Sequence, residues 1–354
     1  MGDLMQYTRR DIGKIALAAG AASRLMAAKP NSMFGGVQIG TITYSFRALP
    51  SSAEQVLQYC LDCGISAIEL MSNVAESYAG APAQAGRGPG GPARGPDGAG
   101  AAGGAPGAQG RRAPGGGRRE MTPEQRAAME KSQAAMKDFR LSVSMDKYKA
   151  FRKMYNDAGI RIYAFKLPPT MGMSDQEYDY IWNVGETLGA NHITMELPTD
   201  DALLQRVGEY AAKRKLRIAF HTHGQGGESG FAKALAASPY TAINLDVGHF
   251  YGVNGQSPVP VMVKYHDRIA SLHLKDRKGP NSPAAEGQGP APGGGGPNMP
   301  WGQGETPLKE VLQTMKTNQY KFPASIEYEY NTPEGSDVLT EIKKCVQFCK
   351  DALA

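Results

Sequence analysis

The sequence predicts an α/β fold, a (β/α)8 TIM barrel in one domain with two Gly/Pro-rich insertions. Three observations predict it. Short apolar runs alternate strictly with helical stretches, the pattern of a parallel sheet with helices outside. There are eight such units, and eight close naturally into a barrel. Successive runs in the second half end in a carboxylate or imidazole: Ile193-Thr-Met-Glu196, Ile218-Ala-Phe-His221-Thr-His223, Ile243-Asn-Leu-Asp246-Val-Gly-His249-Phe, Leu272-His273-Leu-Lys275-Asp276 and Ser325-Ile-Glu327. Barrel strands hand side chains to one shared site in this way. A doubly wound open sheet is the alternative. It lacks support from the first strand, because Thr41 to Arg47 is bulky where a Gly-rich phosphate turn would stand.

Each element has a local reason. Residues 37–46 alternate and are rich in β-branched and aromatic types, giving strand one. Ser51 and Glu54 form a capping box for a helix that reaches Cys63 and stops at Gly64. Strand two covers 65–71. Residues 81–119 are Gly, Pro, Ala and Arg with almost no large apolar side chain, so this insertion has no core to bury and is expected to be disordered. Thr122 and Pro123 open a helix as cap and first residue. A second helix spans 145–158, strand three 162–167, and Ser174 with Glu177 caps the next helix up to Gly189. Strand four is 192–197, a helix 201–215, strand five 217–221, and a short helix follows Gly230. Strand six is 241–246, a short helix 258–265, strand seven 269–274. Residues 279–304 form the second insertion. A helix over 307–317, strand eight over 324–330 and a helix over 337–353 close the chain. Both insertions follow strands, which places them on the mouth of a barrel.

The chain has 354 residues, enough for one barrel with insertions, and 41% hydrophobic residues supply its core. The formal net charge is +5. Residues 1–30 hold five basic and two acidic side chains, and 81–120 hold six and two, so the remainder is near −2. A folded part of that sign argues against an extended phosphate-binding face, and no nucleic-acid partner is expected. Residues 1–33 read as an export signal or a disordered N-terminus, and 34–354 as the barrel. Thr8-Arg9-Arg10-Asp-Ile-Gly-Lys14 followed by Ile-Ala-Leu-Ala-Ala-Gly resembles a twin-arginine signal, which sends folded proteins to the periplasm. Arg24 interrupts the apolar core of that signal, and a cytoplasmic location is the alternative. The run is too short for a membrane span.

Glu196, Asp246, His273 and Glu327 fall at the ends of strands four, six, seven and eight. Carboxylates with an imidazole suit one divalent ion such as Mn2+, Co2+, Mg2+ or Zn2+. Such an ion polarises a carbonyl and acidifies the adjacent C–H, and flanking carboxylates move the proton. A single strand-end acid would be a cap or a salt-bridge partner; five consecutive strands ending this way are harder to explain so. His249 is placed to reach the metal or a substrate hydroxyl, His221 to be a ligand or base, and His223 to touch substrate from the loop. His192 starts its strand at the far end and is expected to be structural; His266 is expected to be solvated.

These motifs, with Trp301-Gly-Gln-Gly-Glu305 leading into a helix and Ser-Ile-Glu327-Tyr, resemble the sugar phosphate isomerase/epimerase superfamily from Phe34 to the C-terminus, the insertions excepted. These xylose-isomerase-like barrels include ketose 3-epimerases, hydroxypyruvate isomerase, inosose dehydratase and endonuclease IV. The resemblance implies that Asp246, His273 and Glu327 ligate a metal, that Glu327 is an acid/base carboxylate, and that His249 and Arg277 contact substrate. Glu196 matches the family's strand-four glutamate and is taken as the fourth ligand. His221-Thr-His223 is similar to the His-Asn-His subgroup of exported members, some linked to 3-keto-glycoside elimination or hydration. Catalysis is then expected from Glu327, Glu196 and His221. Lys166, ending strand three, is read as polarising an enolate oxygen or as a rim lysine. Lys275 and Asp276 are similarly poised and paired with each other. Glu69, ending strand two, binds a hydroxyl or a rim cation.

The expected substrate is a small sugar or keto-sugar; a homo-oligomer is left open. An endonuclease on this barrel would need three metals and extra histidines on early strands, and strands two and three have none. A non-catalytic carbohydrate-binding barrel is the third reading. Cys60 with Cys63, and Cys345 with Cys349, read as four buried thiols or as a source of one disulfide between the first and last helices, which neighbour each other in a closed barrel.

Overall fold

A computed structural model describes residues 29–83, 122–223, 228–283 and 294–354. Eight parallel strands close on themselves: β1 (Val37–Ile42), β2 (Ala67–Met71), β3 (Arg161–Lys166), β4 (His192–Glu196), β5 (Arg217–His221), β6 (Thr241–Asp246), β7 (Ile269–Leu274) and β8 (Ala324–Ile326). Each pairs with its neighbours in sequence, and β1 lies between β8 and β2, which completes the barrel. Two-residue Met33–Phe34 adds antiparallel to β1. The helices between are α1 (Ala53–Asp62), α2 (Ser72–Ala79), α3 (Pro123–Ser142), α4 (Asp146–Asp157), α5 (Asp175–Leu188), α6 (Asp201–Arg214), α7 (Glu228–Ala236), α8 (Val247–Asn254), α9 (Val259–Lys264), α10 (Leu308–Thr317) and α11 (Val338–Ala352).

The predicted units are present, with local corrections. Strand one stops at Ile42, and Thr43–Phe46 forms one 3-10 turn. Two side chains explain the break: Thr43 Oγ1 accepts from the Met71 amide at 3.0 Å, and Ser45 Oγ donates to the Ile326 carbonyl at 3.2 Å. Strand eight ends at Ile326 for the same reason, because the Tyr328 amide donates to Ser45 Oγ at 3.0 Å instead of to the ladder. The first capping box is Ser52 with Gln55, not Ser51 with Glu54. The boxes at Thr122 and Ser174 are formed. Two helices have no counterpart in the sequence reading. α2 follows β2 directly, so the first insertion follows a helix and not a strand. α8 starts on Asp246, whose side chain caps it.

Residues 1–28, which carry the expected export signal, lie outside the described residues, as do 84–121 and 284–293 of the insertions. The tail of the second insertion is tied to the residues after β7 in a separate two-stranded sheet: Asn298 and Met299 pair antiparallel with Arg277 and Asp276. The packing there is close. A Cβ on Gly296 would collide with the Lys278 and Gly279 carbonyl oxygens. Among the described residues no helix is long and apolar enough to cross a membrane. All four cysteines are buried free thiols.

Inside the barrel, polar residues stack in layers. At the bottom Tyr163 donates to Ser325 Oγ at 2.7 Å, and His192 Nε2 meets Ser271 Oγ at 3.0 Å. Burial holds His192 at a pKa of about 4, so it is a neutral structural residue, as expected. His266 is exposed and stacks on Tyr320. The strand register sets the layers above, with Glu196 beside His221 and Asp246 beside His273.

Candidate functional site

The site rises from the middle layer at the carboxyl ends of the strands. Glu69 is fully buried. It accepts from Thr194 Oγ1 at 2.6 Å and Asn244 Nδ2 at 3.2 Å, and its Oε2 lies 2.7 Å from His273 Nε2. The other ring nitrogen of His273, Nδ1, lies 2.6 Å from Glu327 Oε2. Burial alone would lower the His273 pKa; the two carboxylates override it and hold the ring at about 10. Conversely, burial raises Glu69, and His273 more than offsets it, leaving Glu69 at about 2. Glu69 is therefore a buried partner of His273.

His221 Nδ1 meets Asn244 Oδ1 at 3.2 Å. Asn244 Nδ2 is committed to Glu69 and Ser271, so Oδ1 faces His221 and the ring proton is on Nδ1. The Nε2 lone pair is left facing Asp246 Oδ2, 3.8 Å away. Burial pushes the His221 pKa well down and keeps the ring neutral. Asp246 divides its two oxygens. Oδ1 accepts from the His249 amide at 2.6 Å, the cap of α8. Oδ2 is buried and accepts no hydrogen bond among the described residues; the Lys275 ammonium is 3.0 Å away but poorly aligned. Burial raises the Asp246 pKa against the pull of Lys275.

Lys275 is itself buried and lies 2.7 Å from Glu329 Oε2 and 3.0 Å from Glu327 Oε2. Burial would lower its pKa, and Asp246, Glu327 and Glu329 raise it instead. It does not pair with Asp276, as the sequence reading expected. The Asp276 carboxylate is consumed by the backbone amides of Gly302, Gly304 and Thr306, at 2.8, 2.9 and 3.2 Å. Arg277 is fully buried among insertion carbonyls and reaches His249. Glu196 Oε1 pairs with Lys166 at 3.0 Å and its Oε2 lies 3.5 Å from His223. That Oε2 is buried and accepts no hydrogen bond among the described residues, although 44% of the side chain is exposed. Burial raises the Glu196 pKa, but Lys166 outweighs it and Glu196 sits at about 2.

One ligand atom each from His221, Asp246, His273 and Glu327 fall within 4.8 Å of one another, as do those of His221, His223 and His249. The first group replaces the expected Glu196 by His221. Two imidazoles with two carboxylates, one buried carboxylate oxygen without a donor and one imidazole lone pair turned toward it make a donor set that fits a borderline divalent ion. Three residues of the site escaped sequence reading: Thr194, Asn244 and Glu329. Each stands two positions from a singled-out residue on the same strand or its extension, Glu196, Asp246 and Glu327. The period of two, applied to the site and not only to the core, would have found them.

This is a closed parallel barrel with a polar, titratable mouth. Residues 202–350 match the family model of the xylose isomerase-like TIM barrel. Solved structures with this fold include a xylose isomerase domain protein from Alicyclobacillus acidocaldarius, 12% identical over 89% of this chain and 99% of that one, with a TM-score of 0.56. Another is the probable 3-DHS dehydratase involved in petrobactin synthesis from Bacillus anthracis, 13% identical over 88% and 97%, TM-score 0.53. A third is a xylose isomerase domain protein from Planctomyces limnophilus, 13% identical over 90% and 96%, TM-score 0.51. At such identities the likeness is one of fold. No curated protein matches the chain.

Proposed function

We propose that the protein is a divalent-metal-dependent isomerase or epimerase that moves a proton at the carbon beside the carbonyl of a small sugar. The observation that carries this reading is the convergence of His221, Asp246, His273 and Glu327 on one buried point, with the Asp246 Oδ2 atom left without a donor. His221 would ligate through Nε2, and His273 through Nδ1 once Glu327 turns from that nitrogen toward the ion. Glu69 would then keep the Nε2 proton of His273, the carboxylate–histidine pairing common behind metal ligands. A divalent ion there polarises the carbonyl and lowers the pKa of the adjacent C–H.

Glu327 is the base that takes that proton. Its other neighbour, Lys275, keeps it ionised, because burial raises its pKa and Lys275 with His273 pull it well down. Glu196, at the mouth with Lys166 on one oxygen, is the carboxylate on the opposite side of a bound sugar, and Lys166 balances charge that develops on the substrate oxygen. His223 holds a substrate hydroxyl. Elimination or hydration of a 3-keto-glycoside is the second reading. His223, 3.5 Å from Glu196 Oε2, favours it, since an imidazole there can protonate a departing oxygen. The arginine pair near the N-terminus supports a periplasmic setting for either reaction.

The test combines metal content with isotope exchange. Elemental analysis should find about one divalent ion per chain, lost in the Asp246→Asn, His273→Ala double variant. Keto-sugars incubated with the loaded enzyme in D2O should take up deuterium beside the carbonyl, and Glu327→Gln should lower that rate by roughly 10^2-fold or more, within the range for a general base that also serves a metal. An unsaturated or hydrated product with release of the aglycone would select the second reading. No bound metal after incubation with Mn2+, Co2+ and Zn2+, or normal exchange in Glu327→Gln, would overturn both.

A further inference from the structure

We propose that Glu329 is a positioning residue: it draws the Lys275 ammonium to the side of the site and so keeps Asp246 Oδ2 and Glu327 Oε2 open to a divalent ion. This deepens the metal reading of the site and rests on it.

An ammonium and a carboxylate oxygen 3.0 Å apart ordinarily share a hydrogen bond, yet Asp246 Oδ2 accepts none among the described residues. Lys275 aims its hydrogens elsewhere. Its Nζ donates to Glu329 Oε2 at 2.7 Å and meets His249 Nε2 at 3.0 Å. Glu327 Oε2, also 3.0 Å away, already lies 2.6 Å from His273 Nδ1. Lys275 is thus a neighbouring charge to Asp246 and Glu327, and a bonding partner to Glu329.

The strands explain this placement. Ser325, Glu327 and Glu329 stand two apart, so on an extended chain they face one side. Ser325 is paired with His273 in the ladder, which brings Glu327 level with Lys275 and sets Glu329 one pleat nearer the mouth. The lysine bonds outward to Glu329, away from the level where the ligands of an ion converge. Its stem is held, because α8 lies directly on it: a Cβ on Gly248 would collide with Lys275 Cγ. Only the end of the side chain can turn, and its acceptors decide where it points.

Removing the charge at 329 leaves Asp246 and Glu327 as the anionic partners of Lys275 among the described residues. The ammonium then turns onto the two oxygens that an ion would use, and a divalent ion must displace it against like-charge repulsion. The ammonium stays charged throughout; what changes is its aim. With the lysine gone as well, nothing competes for those oxygens, and Glu329 has nothing to position.

The test is a double-mutant cycle on the affinity of the full chain for Mn2+ alone, read by chelator competition. Glu329→Gln should weaken binding by roughly 10- to 100-fold, the usual effect of losing a partner behind the ligands. Lys275→Met should bind Mn2+ at least as tightly as wild type. In the Lys275→Met background, Glu329→Gln should change affinity by less than about 3-fold, the behaviour of a site with no partner left to act through. Equal weakening with and without the lysine would mean a merely structural role for Glu329 and would overturn the proposal. So would unchanged affinity in Glu329→Gln, or weaker binding in Lys275→Met. Thermal melts establish that each variant folds; if Lys275→Met does not, Lys275→Gln, which keeps a hydrogen-bonding head without the charge, takes its place. A wild type that binds neither Mn2+, Co2+ nor Zn2+ removes the metal reading and this inference together. Binding by wild type that Glu329→Gln leaves intact removes this inference alone.

Discussion

Asp246 caps a helix with one oxygen, leaves the other bare inside the site, and stands in register beside His273. Sequence alone identified the residue, because an acid that ends an apolar run must do something there. It could not reveal the cap, since the helix it starts, Val-Gly-His-Phe-Tyr-Gly, carries two glycines and no polar face. Glu69 shows the opposite case. As a strand-end carboxylate it reads as a partner for a substrate hydroxyl or a rim cation, and only closure of the barrel puts it against His273, 204 residues away. If Glu69 holds the far nitrogen of a metal-ligating histidine, Glu69→Gln should weaken metal binding by roughly 10- to 100-fold, the usual effect of losing such a partner. Competition against a chelator reads this directly. Unchanged affinity would mean that His273 is oriented by other contacts or does not ligate.

At the scale of elements, strand centres were legible and strand ends were not. β5, β6 and β7 follow the predicted limits, because each apolar run ends at a polar residue that the strand delivers to the site or its edge. β1 and β8 are shorter, because Thr43 and Ser45 hydrogen-bond across to Met71 and Ile326, contacts with no local signature. Gly248 illustrates how the loops constrain the site. It lies inside α8 in ordinary helical geometry, so a free φ is not what requires glycine there. The requirement is space: a Cβ at Gly248 would collide with the Cγ and carbonyl oxygen of Lys275. Gly248→Ala should therefore push α8 off β7, costing about 1–3 kcal/mol of stability as an overpacked position. It should also lower activity, since Asp246, His249 and Lys275 all move. Denaturant unfolding alongside turnover measures both. A variant as stable as wild type would show that β7 yields at no cost.

At the scale of the whole molecule, the barrel's closure decides the fate of the cysteines. β1 pairs with both β8 and β2, so the first and last helices become neighbours, and Cys63 Sγ lies 3.8 Å from the Leu339 carbonyl in the first turn of α11. The sequence foresaw that meeting and left thiols or a disulfide open. The structure has four free thiols, all buried. Burial pushes Cys63 and Cys345 up to about 12, and raises Cys60 and Cys349 as well. The thiolate is the reactive form, so near pH 8 these groups are both inaccessible and protonated. A thiol reagent added to native protein should react only as fast as the barrel opens, and in denaturant without reductant it should count four thiols per chain. Rapid labelling of the folded protein would mean that α1 and α11 separate locally, leaving the barrel's seam as its weakest point. A count of two in denaturant would mean that the seam is covalently closed.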